Sequence, residues 1–268
     1  MLSRRRPAPR TFTPTGDGEI TPLLLDVTDP AQINAAAGIV DGHTGDAGLA
    51  GLVNNAGIGI FGPLEIVPLE QFRRQLEVNV AGQLAITQAL LPLLRLARGR
   101  IVLIGSIGTR FTPFTGPVSA SKSTAATMAE ALRQELAPWG VGVVLVEPAS
   151  IHTEAVDKLA RDAELLLRES DPRARALYEE DFRRFVGIGL ARERNGSPPQ
   201  VVARTVARAL TIPRPHARYL VGKDSWRMAA LAAVLPTPLL DALRRRIGHQ
   251  PAPGSRAPWR GSAASAST

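Results

Sequence analysis

The chain has 268 residues, 44% of them hydrophobic, no cysteine, and a formal net charge of +8. That length and apolar content suffice for one substantial core, so a single domain is the default; the missing cysteines exclude disulfides and thiolate metal sites, and the four histidines (His43, His152, His216, His249) lack ligand spacing, so no metal is expected. The positive charge does not point to nucleic acid, because the densest clusters, Arg4 to Arg6 and Arg244 to Arg246, lie near the two ends, and the aromatic residues, at 4%, do not interleave with them.

In chain order, residues 1–18 are rich in Arg, Pro, Thr and Gly without an apolar period and read as a disordered basic tail; residues 250–268 read as a second tail. The opening MLSRRRPAPRTF has no apolar stretch behind its arginines, and no run approaches the roughly 18 apolar residues of a membrane-spanning helix. A cytoplasmic location is therefore expected. Between the tails, residues 19–249 alternate short apolar runs with longer helical patterns. TPLLLDV reads as a strand and AQINAAAGIV as a helix; LAGLV is a strand, followed by a long helix from Leu69 to Ala97; RIVLIGS is a strand and VSASKSTAATMAEALRQELA a helix; VGVVLVEPAS is a strand. Such alternation implies an α/β fold, a Rossmann-like doubly wound parallel sheet with helices on both faces.

In the long helix, Leu69, Phe72, Leu76, Val80, Leu84, Leu91 and Leu94 recur at spacings of three, four or seven and form the expected apolar stripe, with Asn79 in its middle. After Ser150 the pattern is mostly helical and charged through Arg194. SPPQVVARTVARAL then opens a helix with Ser197 as its expected cap, ARYLVG is a last strand, and Trp226 to Ile247 is an apolar helical pattern interrupted by Pro236 and Pro238. Its basic end suits either attachment to a membrane surface or packing on the sheet or a partner subunit.

Several polar groups sit at the carboxyl ends of strands, where open α/β sheets bind ligands. Asn54, Asn55, Ala56 and Gly57 follow one strand, and their small size lets a backbone approach a flat ligand. Gly57, Gly59 and Gly62 have the G-x-G-x-x-G order of a dinucleotide fingerprint, but Pro63 and Pro68 delay the helix that should meet the pyrophosphate, so the match is rejected. Gly105, Ser106, Ile107 and Gly108 end the next strand, and Ser119 to Lys122 begin the following helix behind Pro117.

Taken together, NNAG, an Asn in mid-helix, GS at a strand end, SASK at a helix start and EPAS after a strand, in this order, resemble the short-chain dehydrogenase/reductase family from about Leu23 to about Gly222. The resemblance implies an NAD(P)-dependent oxidoreductase that transfers hydride between a nicotinamide and a small carbonyl or alcohol substrate. It assigns Asp26 and Val27 to the adenine end of the cofactor, and Asn54, Ala56, Gly57, Lys122, Pro148, Ile151 and Thr153 to cofactor binding as well. Residues 150–196 correspond to the variable substrate-loop region, and the long helix and the Pro117 helix to the elements of the family's homodimer.

By the same resemblance, Ser106 hydrogen-bonds the substrate oxygen, Asn79 anchors a proton-relay water, and Lys122 lowers the pKa of a tyrosine one turn earlier. That tyrosine position is Val118, whose side chain transfers no proton. Ser119 lies about 100° round the helix and is too weak an acid to substitute; His152 follows EPAS and is of a type suited to proton transfer near neutrality, but reads first as a solvated loop residue. Where the family often has Pro-Gly after a strand, this chain has Pro148-Ala149. A first βαβ unit needs roughly 30 residues, but only 25 precede Asp26, and Thr15-Gly16-Asp17-Gly18 lacks the family spacing. The expectation is a sheet without its first βαβ unit, hence poor stability, a partner, or a start codon placed too far downstream. The expected function is a severely slowed oxidoreductase; the alternative is a catalytically inactive homologue that binds or regulates.

Overall fold

β1 (Gly51–Asn54), β2 (Arg100–Ile104), β3 (Gly142–Pro148) and β4 (Arg218–Val221) form one parallel sheet in the order β1-β2-β3-β4. The computed structural model that places them describes residues 19–110, 113–153 and 155–256; the tail expected at 1–18, and its counterpart from 257 onward, lie outside the described residues. Register runs Val53 to Val102, Val102 to Val144 and Leu145 to Arg218.

Side chains of successive strand residues point to opposite faces, and here both faces are covered. Ile101, Leu103, Val143 and Leu145 pack with Ile33 of α1 (Pro30–Thr44), with Ile86, Leu90 and Leu94 of α3 (Gln83–Ala97), and with Leu132 and Leu136 of α4 (Gly116–Leu136). Val102, Ile104, Val144 and Val146 pack on the other face against Ala209, Val206 and Leu210 of α7 (Gln200–Thr211). The expected doubly wound α/β architecture is therefore present.

α1 starts where Asp29 accepts hydrogen bonds from the Ala31 and Gln32 amides, with Pro30 as its first residue. α2 (Leu69–Leu76) continues into α3 through a wider turn at Glu77–Gly82, which contains Asn79. The helices α5 (Ala155–Glu169) and α6 (Pro172–Arg194) pack against each other beside the sheet through Ala163, Leu166, Leu167, Phe182 and Val186, and α8 (Ser225–Val234) and α9 (Thr237–Ile247) follow β4. The break between α8 and α9 falls at Leu235 and Pro236, one of the two prolines that interrupt the sequence pattern. Past α9, the Arg256 guanidinium reaches the Asp181 carboxylate at 2.5 Å.

Four sequence expectations are corrected. TPLLLDV is not a strand: residues 21–26 lie outside the sheet with Leu24 79% exposed, because no described strand lies alongside to accept its backbone bonds. The buried face of α2–α3 is not the leucine stripe either. Leu69 is exposed, Phe72, Leu76, Val80, Leu84 and Leu91 are half-buried, and the buried positions are Gln75, Val78, Asn79, Gly82, Gln83, Ile86, Thr87, Leu90 and Leu94. The helix Leu69–Ala97 is also, by length and mean hydropathy (1.4), apolar enough to cross a membrane, which no run of residues suggested; its buried polar face packs on α1, α4 and β1. Finally, Ser197 does not cap α7, which starts behind Pro199; its hydroxyl accepts from the Lys223 amide at 3.1 Å and ties the two loops together.

Close approach requires a glycine at position 82. A Cβ on Gly82 would stand 2.7 Å from the Val27 carbonyl oxygen and 2.8 Å from its Cγ2, so the long helix touches the 26–28 turn at a residue without a side chain. Gly82→Val forces that turn away, and the expected loss of stability in urea unfolding is about 1–3 kcal/mol. An unchanged midpoint would show the turn to be free to move.

Candidate active site

The loop after β1 is held to the long helix by a regular series of hydrogen bonds. Asn54 Nδ2 donates to Thr87 Oγ1 (2.8 Å), Gln83 Nε2 to the Ala56 carbonyl (2.8 Å), Asn79 Nδ2 to the Ile58 carbonyl (2.9 Å) while its Oδ1 accepts from the Ile58 amide (2.8 Å), and Gln75 Oε1 accepts from the Ile60 amide (2.5 Å). Every second residue of the loop thus meets every fourth residue of the helix. The two advance nearly in step, since four helical residues rise about 6 Å and two extended residues about 6.6 Å.

This series fixes the wall of a site. Asn79 and Gln75 also donate to Ser121 Oγ, at 3.0 and 3.1 Å, and Ser121 donates to the Val118 carbonyl, so the loop, the long helix and the first turn of α4 are one polar unit. A Cβ on Gly57 would lie 3.2 Å from Asn79 Oδ1 and 3.8 Å from Lys122 Nζ, which brings Gly57, Asn79 and Lys122 together.

Lys122 Nζ donates to the Ile104 carbonyl at the end of β2 (2.7 Å). Burial holds its ammonium down at about 8, from an ordinary 10.5. Since the folded chain gives up this proton before the unfolded chain does, the unfolded state binds more protons between pH 8 and pH 10.5, and stability rises with pH across that window. The full rise amounts to roughly 3 kcal/mol, and it is expected to be absent in Lys122→Met when urea unfolding is compared at the two ends of the window.

Beside Lys122 lies a cavity of about 260 Å³. Ser106, Val118 and Lys122 all line it, as three of the positions read from the sequence, and its apolar wall includes Phe61, Leu159, Phe185 and Met228. Ser106 Oγ accepts from the Gly108 amide at 3.1 Å. Glu193, from the end of α6, lines the same cavity; its Oε2 accepts from the Ile151 amide at 3.1 Å. Burial raises its carboxyl above the ordinary range, against the amide of Ile151, the hydroxyl of Ser150 and the charge of Arg192, which all favour the carboxylate.

The other expected residues are placed unevenly. Asn54 and Ala56 spend their side chain and carbonyl on the long helix. Ile151 is buried and bridges Ser197, Pro148 ends β3 half-buried, and Thr153 is exposed. His152 is exposed and outside the cavity lining, whereas Ser119 lines it but is paired with Thr115 Oγ1 at 2.9 Å. Asp26 accepts from the amide and hydroxyl of Thr28 and faces Arg74 at 3.7 Å, while Val27 packs on Gly82. Sequence reasoning missed Gln75, Gln83 and Glu193. The two glutamines carry a signal, a spacing of four with Asn79 and Thr87; Glu193 carries none, because only the packing of α6 brings it to the cavity.

Residues 8–164 match the family model for short chain dehydrogenase. The chain belongs to the short-chain dehydrogenase family. Its similarity to human (Homo sapiens) retinol dehydrogenase 5 is 34% identity over 235 residues, which cover 85% of this chain and 74% of that protein. The NADPH-dependent 3-dehydrocapnine reductase of Ornithobacterium rhinotracheale is also 34% identical, over 227 residues, 82% of this chain and 78% of that one. Among solved structures, a short chain dehydrogenase from Burkholderia cenocepacia J2315 in complex with NADP is similar at a TM-score of 0.62 and 26% identity, covering 83% of this chain and 78% of that one. Relatives of this short-chain dehydrogenase thus use nicotinamide nucleotides.

The fit to such a nucleotide differs along its length. The ribose and nicotinamide end suits the ammonium of Lys122 and the Cβ-free backbone of Gly57. For the pyrophosphate, the described residues offer no glycine-rich turn leading into a helix, and the first amides of α1 are already taken by Asp29.

Proposed function

We propose that this short-chain dehydrogenase is an NAD(P)-dependent oxidoreductase for a largely apolar alcohol or carbonyl compound, and that proton transfer is its weak step. The observation that carries the reading is the common cavity of Ser106, Val118 and Lys122, whose remaining wall is mostly aromatic and aliphatic. The name of one relative agrees with an apolar substrate, since retinol is a long hydrocarbon alcohol, and both relatives are named for oxidation or reduction.

The bound nicotinamide supplies or takes up hydride at the substrate carbon. The chain's own groups do the rest. The Ser106 hydroxyl donates to the substrate oxygen and turns its carbon toward the open end of the sheet. Phe61, Leu159 and Phe185 exclude water around the hydrocarbon body. Lys122 donates to ribose hydroxyls and places a positive charge near the reacting oxygen, which favours its anionic form. Val118 contributes only shape, so the oxygen must exchange its proton with water or with a weaker neighbour.

A homodimer through α2–α3 and α4 is part of this proposal; the half-buried Phe72, Leu76, Val80 and Leu84 supply an apolar strip for it.

The test is calorimetric titration of the chain with NADPH and NADH, followed by all-trans-retinol oxidation with the nucleotide that binds. Micromolar binding with slow oxidation, lowered further by Ser106→Ala, is the expected result. No binding of either nucleotide would overturn the reading.

A further inference from the structure

We propose that the Lys122 amine is a nucleophile that condenses with apolar aldehydes in the cavity to form an imine. Three observations meet there. Among the described residues, Nζ makes its hydrogen bond to the Ile104 carbonyl, which leaves its lone pair unengaged once it is deprotonated. Val118, one turn earlier on the same wall, offers no hydroxyl to bind the amine. The cavity beside it is about 260 Å³ with apolar walls, which hold an aldehyde's hydrocarbon body and keep water from the imine.

Burial holds the ammonium at about 8, so near that pH half of the molecules carry a neutral amine, whereas an ordinary lysine stays almost fully protonated. Among the described residues, the charged groups that line the cavity with it are Arg192 and Glu193 of α6. Arg192 is turned to the Met228 sulfur at 2.9 Å. Glu193, raised by burial, is the group that can hold a proton there.

The reaction balances without an oxidant or reductant. The nitrogen lone pair attacks the carbonyl carbon, a C–N bond forms, and the carbonyl oxygen takes a proton to give a carbinolamine. The C–O bond then breaks, the nitrogen loses its remaining proton, and one water leaves. Amine and aldehyde become imine and water. This chemistry uses the oxidoreductase cavity but no nucleotide, so its failure and the failure of the hydride-transfer reading are separate results.

The experiment uses the whole chain, benzaldehyde as the probe and cyanoborohydride to reduce any imine in place, with the modified residue located by peptide mass spectrometry. The chain's lysines are Lys122, Lys158 and Lys223, and the other two are exposed, which makes them internal references. The expected result is benzylation of Lys122 several-fold faster than of Lys158 or Lys223 near pH 8, with that preference lost in urea. Lys122→Arg, which keeps a cation in the cavity, removes the fast site and leaves the slow ones, and Val118→Tyr slows the fast site. Equal labelling of the lysines in the folded chain, or labelling that spares Lys122, would overturn the proposal.

Discussion

Val118→Tyr raises alcohol oxidation about 10²- to 10⁴-fold over the parent chain, the span that a positioned general acid/base contributes. Position 118 is one helical turn before Lys122, so a phenol there projects from the same face of α4 into the cavity that Ser106 also lines. The Lys122 charge beside it favours phenolate and brings the phenol's pKa toward the working range. The gain should fall on kcat, since the added hydroxyl acts on the reacting oxygen and not on the hydrocarbon body. Val118→Phe separates shape from proton transfer: it fills the same space and should bring no gain. If Val118→Tyr binds nucleotide as the parent does and stays as slow, the missing phenol is not what limits this chain.

The second large effect is on folding. Glu147, in β3, is 2% exposed, and its carboxylate is paired with the guanidinium of Arg218 at the start of β4. Arg218→Leu leaves that carboxylate buried without its partner, a change that costs about 3–5 kcal/mol in buried pairs. The low end is expected here, because Arg110 and Arg244 line the same 350 Å³ recess and Arg218 itself is 40% exposed. Urea unfolding measures the loss. Removing both charges, in Glu147→Leu with Arg218→Leu, should recover most of it, since the cost lies in the stranded charge and not in the missing bond. A double variant as unstable as the single one would show that the guanidinium acts through its packing.

Much of the site was legible because it depends on short spacings. A spacing of four from Val118 to Lys122 places both on one face of a helix, whatever the rest of the chain does, and Ser106 follows from the end of a strand that is apolar after its first residue. What depends on neighbours was not legible. TPLLLDV has the composition of a strand, yet a strand exists only beside another strand. The long helix was read by its leucines, because periodicity finds the apolar face. Its buried face is polar, since the loop after β1 has backbone groups to satisfy and Gln75, Asn79 and Gln83 satisfy them. The four-residue spacing of these side chains was visible, but polar residues are normally assigned to solvent. Glu193, Phe185 and Met228 reach the cavity from α6 and α8 through packing that no local pattern encodes.

The matched spacing of the Asn54–Ile60 loop and the Gln75–Thr87 helix face has a consequence for how this region can change over generations. The two segments work like the paired scales of a vernier, two residues of one against four of the other. A single-residue insertion in either shifts every later mark, and each displaced pair leaves a buried polar group without a partner, at roughly 1–3 kcal/mol apiece. Length variation in descendants of this chain should therefore collect elsewhere, and these segments should keep their lengths even where their residue identities drift.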